Sequence, residues 1–239
     1  MSHYQKAWQA VLRRIEVATL AAGRAPGSVR LLAVAKTFPA EAVRAVWALG
    51  QRSFGENYVQ EGAAKRESLR DLPAVEWHLI GPLQSNKSAL AAAAFDWVES
   101  VDRLKIAQRL STQRPQDAAA LDVCIEVNVG GEASKGGVAP GEALVLARAA
   151  AMLPRLRLRG IMGIPAPTGD VAQQRAQFRA LRECFERCLD AGLAVDTLSM
   201  GMSADLEAAI AEGSTQVRVG TAIFGVRKQE GEEVRKSDW

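Results

Sequence analysis

Val29-Arg30-Leu31-Leu32-Ala33-Val34-Ala35 followed by Pro39 to Gly50 is the stretch that decides the fold. The first seven residues are short, apolar and β-branched, which predicts a buried strand. Pro39 then opens a helix with Ala42, Val43, Val46, Trp47 and Leu49 on its inner face, and Gly50 ends it. The same unit recurs along the chain. Further strands are predicted at 52–55, 76–80, 95–99, 121–129, 156–163, 195–199 and 216–220, with helical stretches at about 57–70, 85–94, 102–112, 140–153, 171–191 and 203–212. Ahead of the first strand, residues 4–22 place Trp8, Val11, Leu12 and Ile15 on one helical face, with Gly23 as the stop.

Strands that alternate with helices build parallel sheets through right-handed crossovers. Eight such units predict an α/β fold, a closed (β/α)8 TIM-type barrel with an extra N-terminal helix. The competitor, an open doubly wound sheet, lacks the Gly-x-Gly-x-x-Gly that a dinucleotide fold carries after its first strand. Gly220 to Gly225 has the glycine spacing of a phosphate loop, but Val226-Arg227 stand where Lys-Ser/Thr is needed. Residues 1–228 are expected as one barrel domain. Residues 229–239, charged and without apolar periodicity, are expected as a flexible tail.

Composition narrows the function. Of 239 residues 48% are hydrophobic and 24% charged, and 30 Lys and Arg against 27 Asp and Glu leave a formal charge of +3. That balance predicts neither a nucleic-acid groove nor a membrane-surface patch. No apolar run approaches the ~20 residues of a membrane span, and the N-terminus lacks the pattern of a signal peptide, so a cytoplasmic protein is expected. Cys124, Cys184 and Cys188 form no disulfide framework, and with only His3 and His78 to help them, core thiols are expected over a metal site.

Barrel chemistry sits at the carboxyl ends of the strands. The first strand runs into Lys36, which is either a lysine that forms a Schiff base or one that reaches from the rim to water. Phe54-Gly-Glu-Asn-Tyr58 brings Asn57 to the second rim, as a site residue or as a helix cap. His78, in the third strand, is an accessory acid or base candidate, or a hydrogen-bonded core residue. Glu126 and Asn128 alternate in the fifth strand, pointing into the mouth or pairing inside, and a loop with Lys135-Gly136-Gly137 follows. At the seventh rim Ser203 is a candidate N-cap. Val217 to Gly225 ends the eighth strand with Arg218, Gly220 and Thr221.

The last two rims are where barrels bind phosphate, because unpaired amides at helix starts favour an anion. Gly220 would let oxygens approach the backbone, and Ser203 and Thr221 would add hydroxyls. Arg218 either contacts the ligand or pairs inside the barrel with a carboxylate such as Glu126. Closure of the barrel sets this cup beside Lys36, and a phosphate cup next to an imine-forming lysine is what pyridoxal 5′-phosphate (PLP) requires.

The chain also resembles the pyridoxal phosphate homeostasis proteins, which are similar to the barrel domain of alanine racemase. The stretches that carry the resemblance run in order from about residue 4 to 228. Among them are Leu32-Ala-Val-Ala-Lys-Thr37, Trp77-His-Leu-Ile-Gly-Pro-Leu-Gln-Ser-Asn-Lys87, Ser134-Lys135, Leu198-Ser-Met-Gly-Met-Ser-Ala-Asp205 and Arg218-Val-Gly-Thr-Ala-Ile-Phe-Gly225. The resemblance implies that Lys36 carries the cofactor as a Schiff base. It also implies that Ser203, Gly220 and Thr221 surround the phosphate and that Arg218 lies next to the cofactor. Asn57 would stand near the ring, Met200 at the cofactor wall, and Lys135 would act as a second lysine in release or transfer. Ala35 departs from the serine often found before the lysine, without evident consequence.

Two classes follow from that resemblance: a PLP buffer and carrier with no catalytic residues of its own, or a one-domain amino-acid racemase. A racemase needs bases on both faces of the substrate, and similar racemases draw one from a further domain and a dimer partner. The chain ends soon after the eighth strand, so the carrier is expected. It is expected to be a monomer with PLP as ligand, transient contact with apo PLP enzymes, and no metal, nucleic acid or membrane.

Overall fold

The computed structural model describes residues 2–132 and 135–225. Eight parallel strands follow one another around a closed barrel: β1 (Arg30–Val34), β2 (Ser53–Glu56), β3 (Glu76–Leu79), β4 (Trp97–Val101), β5 (Leu121–Val127), β6 (Leu156–Gly163), β7 (Thr197–Ser199) and β8 (Gln216–Val219). β8 pairs with β1 through Arg30↔Gln216 to Ala33↔Val219, which closes the ring. The outer helices are α2 (Ala40–Trp47), α3 (Val59–Ser68), α4 (Ser88–Ala94), α5 (Leu104–Gln113), α6 (Ala143–Ala151), α7 (Val171–Asp190) and α8 (Leu206–Ala211), with α1 (His3–Ala21) ahead of the barrel. The barrel and its N-terminal helix are therefore as the alternation of strands and helices predicts. The proposed domain limit at 228 and the tail over 229–239 lie outside the described residues.

Burial explains the strand patterns. Every residue of β1 except Arg30 is buried, since helices cover the outer face while barrel packing covers the inner one. α1 buries Val11, Ile15 and Ala18 and lies against α8, where Arg14 pairs with Glu207 at 2.8 Å. Cys124, Cys184 and Cys188 are buried free thiols. Among the described residues no cluster of His, Cys, Asp and Glu could hold a metal, and no helix is long and apolar enough to cross a membrane.

The eighth strand ends within one residue of the expected 220: β8 stops at Val219, and Thr221–Phe224 turn into a short helix, α9, behind Gly220. Ile223 and Phe224 look like strand in sequence, yet their side chains are buried from the helix, and Phe224 stacks on Phe38 at 5.2 Å.

The barrel interior is polar through its middle. Glu99 of β4, fully buried, accepts from His78 Nδ1 (2.7 Å), Ser199 Oγ (2.6 Å) and Gln216 Nε2 (2.7 Å). Below it the His78 ring stacks on Trp97 at 4.9 Å, and the Arg159 guanidinium lies 4.6 Å from the Trp97 ring. The three bonds that converge on Glu99 fix the rotamers of His78, Ser199 and Gln216.

Candidate functional site

A cleft of about 430 Å³ opens at the carboxyl ends of the strands, inside the size range of small-molecule sites. Lys36, Asn57, Ser203, Arg218, Gly220 and Thr221 all line it, as do Glu126, Asn128 and Lys135. Lys36 stands two residues beyond the end of β1 and is exposed to the cleft rather than desolvated in the barrel. Its carriage is unusual: Ala35 O accepts from Phe38 N at 3.1 Å, which closes a tight turn, and Thr37 has φ +66°.

The neighbouring side is built by the last two strands. The first amides of α9 have no partner within their own helix, as at any helix start. Gly220 precedes them, and a Cβ there would sit 3.0 Å from Val34 O, so only glycine keeps this approach open. Thr221 Oγ1 and Ser203 Oγ add hydroxyls. Ser203 does not cap α8: Asp205 holds that position, and its carboxylate accepts from Met202 N at 2.5 Å. Burial pushes the Asp205 carboxyl up, against the Met202 bond and the Arg218 charge. Asn57 is likewise no cap, since Tyr58 precedes α3 without a side-chain bond.

Arg218 lines the cleft and is anchored inside the barrel. It is buried, with Nη1 donating to Ser199 Oγ and Nη2 to Gly163 O, both at 2.8 Å. Glu99, Asp205 and Glu126 oppose the lowering that burial imposes on its guanidinium, and it makes no direct bond to Glu126. Glu99 in turn is held below its ordinary range: burial acts to raise it, but the His78 bond and the Arg218 charge outweigh that.

Glu126 is the free acid of the cleft. Its carboxyl is pushed up to about 7, by burial first and Asp102 second, with Arg218 opposing. Gly136 packs against it so closely that a Cβ there would lie 3.2 Å from Oε2. Lys135 pairs with Glu132 and reaches Pro165 O at 3.5 Å.

Two sequence candidates lie elsewhere. Met200 is fully buried in the hydrophobic core, and it is not among the residues that line the cleft. His78 is buried below the cleft with its Nδ1 engaged by Glu99, and Nε2 finds no partner. Sequence reasoning missed Glu99 and the pair Glu61 and Lys65. The signals were present: a lone carboxylate inside apolar Trp97-Val-Glu-Ser-Val101, and opposite charges four residues apart in α3.

The mouth of this closed β/α ring thus joins a lysine after β1 to hydroxyls and a glycine after β7 and β8. A family model described as alanine racemase, N-terminal domain, matches residues 10–228, and the chain belongs to that family. It is 59% identical over 217 residues to the pyridoxal phosphate homeostasis protein of Pseudomonas aeruginosa, covering 91% of this chain and 93% of that protein. The protein of the same name from Escherichia coli K12 is 50% identical over 216 residues, 90% and 92% of the two chains. Among solved structures, PipY of Synechococcus elongatus with PLP bound superposes with a TM-score of 0.77 at 39% identity, covering 88% of this chain and 98% of that one.

Proposed function

We propose that the protein holds PLP as a Schiff base on Lys36 and takes part in its homeostasis, buffering and delivering the cofactor without robust catalysis of its own. The observation that carries this is one cleft shared by a solvent-facing lysine, two hydroxyls, an open glycine and a buried arginine. These residues fit the cofactor. When bound, it would supply a reactive aldehyde on an electron-withdrawing ring. Thr221, Ser203 and the first amides of α9 would take the phosphate, with Gly220 giving room for it. Arg218 is already oriented by Ser199 and Gly163, so it would present its remaining N–H groups to the ring without reorganising. Asn57 would flank the ring.

The carrier reading is favoured over a racemase because His78, one candidate for a second base, is committed to Glu99 beneath the cleft. Lys135, at the cleft wall, would offer a second amine during transfer. In this reading the protein acts as a cytoplasmic monomer that meets apo PLP enzymes transiently. Absorbance before and after borohydride, followed by peptide mapping, tests the attachment. A reducible band with the adduct on Lys36, absent from Lys36→Ala, is expected; a parent protein left unmodified by PLP would overturn the proposal.

A further inference from the structure

Both peptide groups that flank Lys36 are tied to α3. The carbonyl before it, Ala35 O, accepts from Lys65 Nζ at 2.7 Å. The amide after it, Thr37 N, donates to Glu61 Oε1 at 2.6 Å. Lys65 Nζ also donates to that same Glu61 oxygen at 2.8 Å and to Glu56 Oε1 at 2.7 Å. All three ammonium protons are therefore used. The Lys65 side of the grip is out of water, with side-chain exposures of 8% for Lys65 and 0% for Glu56, while the Thr37–Glu61 bond is exposed.

The turn needs such a grip. Thr37, at φ +66°, is a β-branched residue in the left-handed region, and such a residue keeps that conformation only where its surroundings impose it. Glu61 and Lys65 are one helical turn apart, and an ion pair at that spacing is ordinarily a weak exposed contact. Here it is inserted between the two peptides of the turn, and it reaches Lys36 only through the backbone.

We propose that Lys65, together with Glu61, is the positioning residue of this site: it fixes the turn so that the Lys36 amine points at the ligand aldehyde. The inference rests on the attachment proposed above. In the step it serves, the neutral amine nitrogen of Lys36 adds to the aldehyde carbon. A C=N bond forms, the carbonyl oxygen leaves as water, and nothing is oxidised or reduced.

The experiment compares the parent with Lys65→Met, Lys65→Arg and Glu61→Gln in three measurements. These are the rate at which the borohydride-reducible adduct appears after mixing with PLP, the affinity for pyridoxine 5′-phosphate, and hydrogen exchange of the Thr37 amide in ligand-free protein. Pyridoxine 5′-phosphate has no aldehyde, so it reports the phosphate and ring contacts without imine formation. Lys65→Met is expected to slow adduct formation at least tenfold and to speed Thr37 exchange at least tenfold, with pyridoxine 5′-phosphate affinity within twofold of the parent. Lys65→Arg should recover part of the rate. Should Lys65→Met not fold, Glu61→Gln carries the test: it keeps the Lys65–Glu56 pair and should show the same pattern at about threefold. Adduct rates within twofold of the parent, or rate and affinity falling in equal proportion, overturn the positioning role. A parent that never forms the adduct overturns the attachment itself and the inference with it.

Discussion

Replacing Glu126 by Gln should stabilise the ligand-free protein at pH 8 and leave it nearly unchanged at pH 4.5. Folding moves this carboxyl from an ordinary value of 4.5 up to about 7, because burial and Asp102 outweigh Arg218. A carboxyl raised in the folded state favours folding fully below its unfolded value, and that contribution is lost as pH rises through the folded one. At about 1.4 kcal/mol per unit the shift corresponds to a ceiling of about 3 kcal/mol. Water entering the open side of the cleft screens the charge, so about 1–2 kcal/mol is expected. Glutamine copies the protonated acid in shape and stays neutral throughout, so the variant should avoid the loss. Urea denaturation of both proteins at pH 4.5, 6 and 8 reads the difference directly, and the raised Glu56 carboxyl cancels because both proteins carry it. A stability offset that is the same at all three pH values would refute the reasoning.

Glu99→Ala leaves the donors of His78, Ser199 and Gln216 buried without their acceptor and should cost about 3–5 kcal/mol, seen as a lower urea midpoint. Gly81→Ala would drive a Cβ to 2.2 Å from Asn57 O, so a loss of about 1–3 kcal/mol is expected together with weaker PLP retention in equilibrium dialysis. Incubated with L-alanine in deuterated water, the PLP-loaded protein should exchange the α-proton no faster than free PLP. A rate a hundredfold above that background would favour the racemase.

The barrel was legible because parallel strands buried on both faces leave continuous apolar runs, and Leu31 to Ala35 is as clear an example as the chain offers. The rims were legible too, since Lys36, Asn57, Ser203, Gly220 and Thr221 each stand within three residues of a strand end or helix start. Side-chain direction was harder. A residue at a rim looks the same in sequence whether it faces the cleft or the core; Met200, set at the cofactor wall by the resemblance, lies in the core. Arg218 kept two alternatives for the same reason. Contacts between distant elements left the weakest trace: Glu99 joins β4 to β7 and β8, and only the closed ring brings Ser199 and Gln216 to it. The Glu61–Lys65 pair was legible as opposite charges four apart, but its targets, Ala35 O and Thr37 N, are backbone groups that carry no sequence signature.

The cleft straddles the seam at which the ring closes, with Lys36 after the first strand and Gly220 and Thr221 after the last. On the ribosome the amine emerges early and the proposed phosphate side last; at about 5–20 residues per second the 184 residues from Lys36 to Gly220 take roughly 9–37 seconds. The two halves of the site exist together only once β8 has docked on β1. On the attachment proposed above, ligand capture would report that the ring is complete, and bound ligand would act as a latch across the β8–β1 joint.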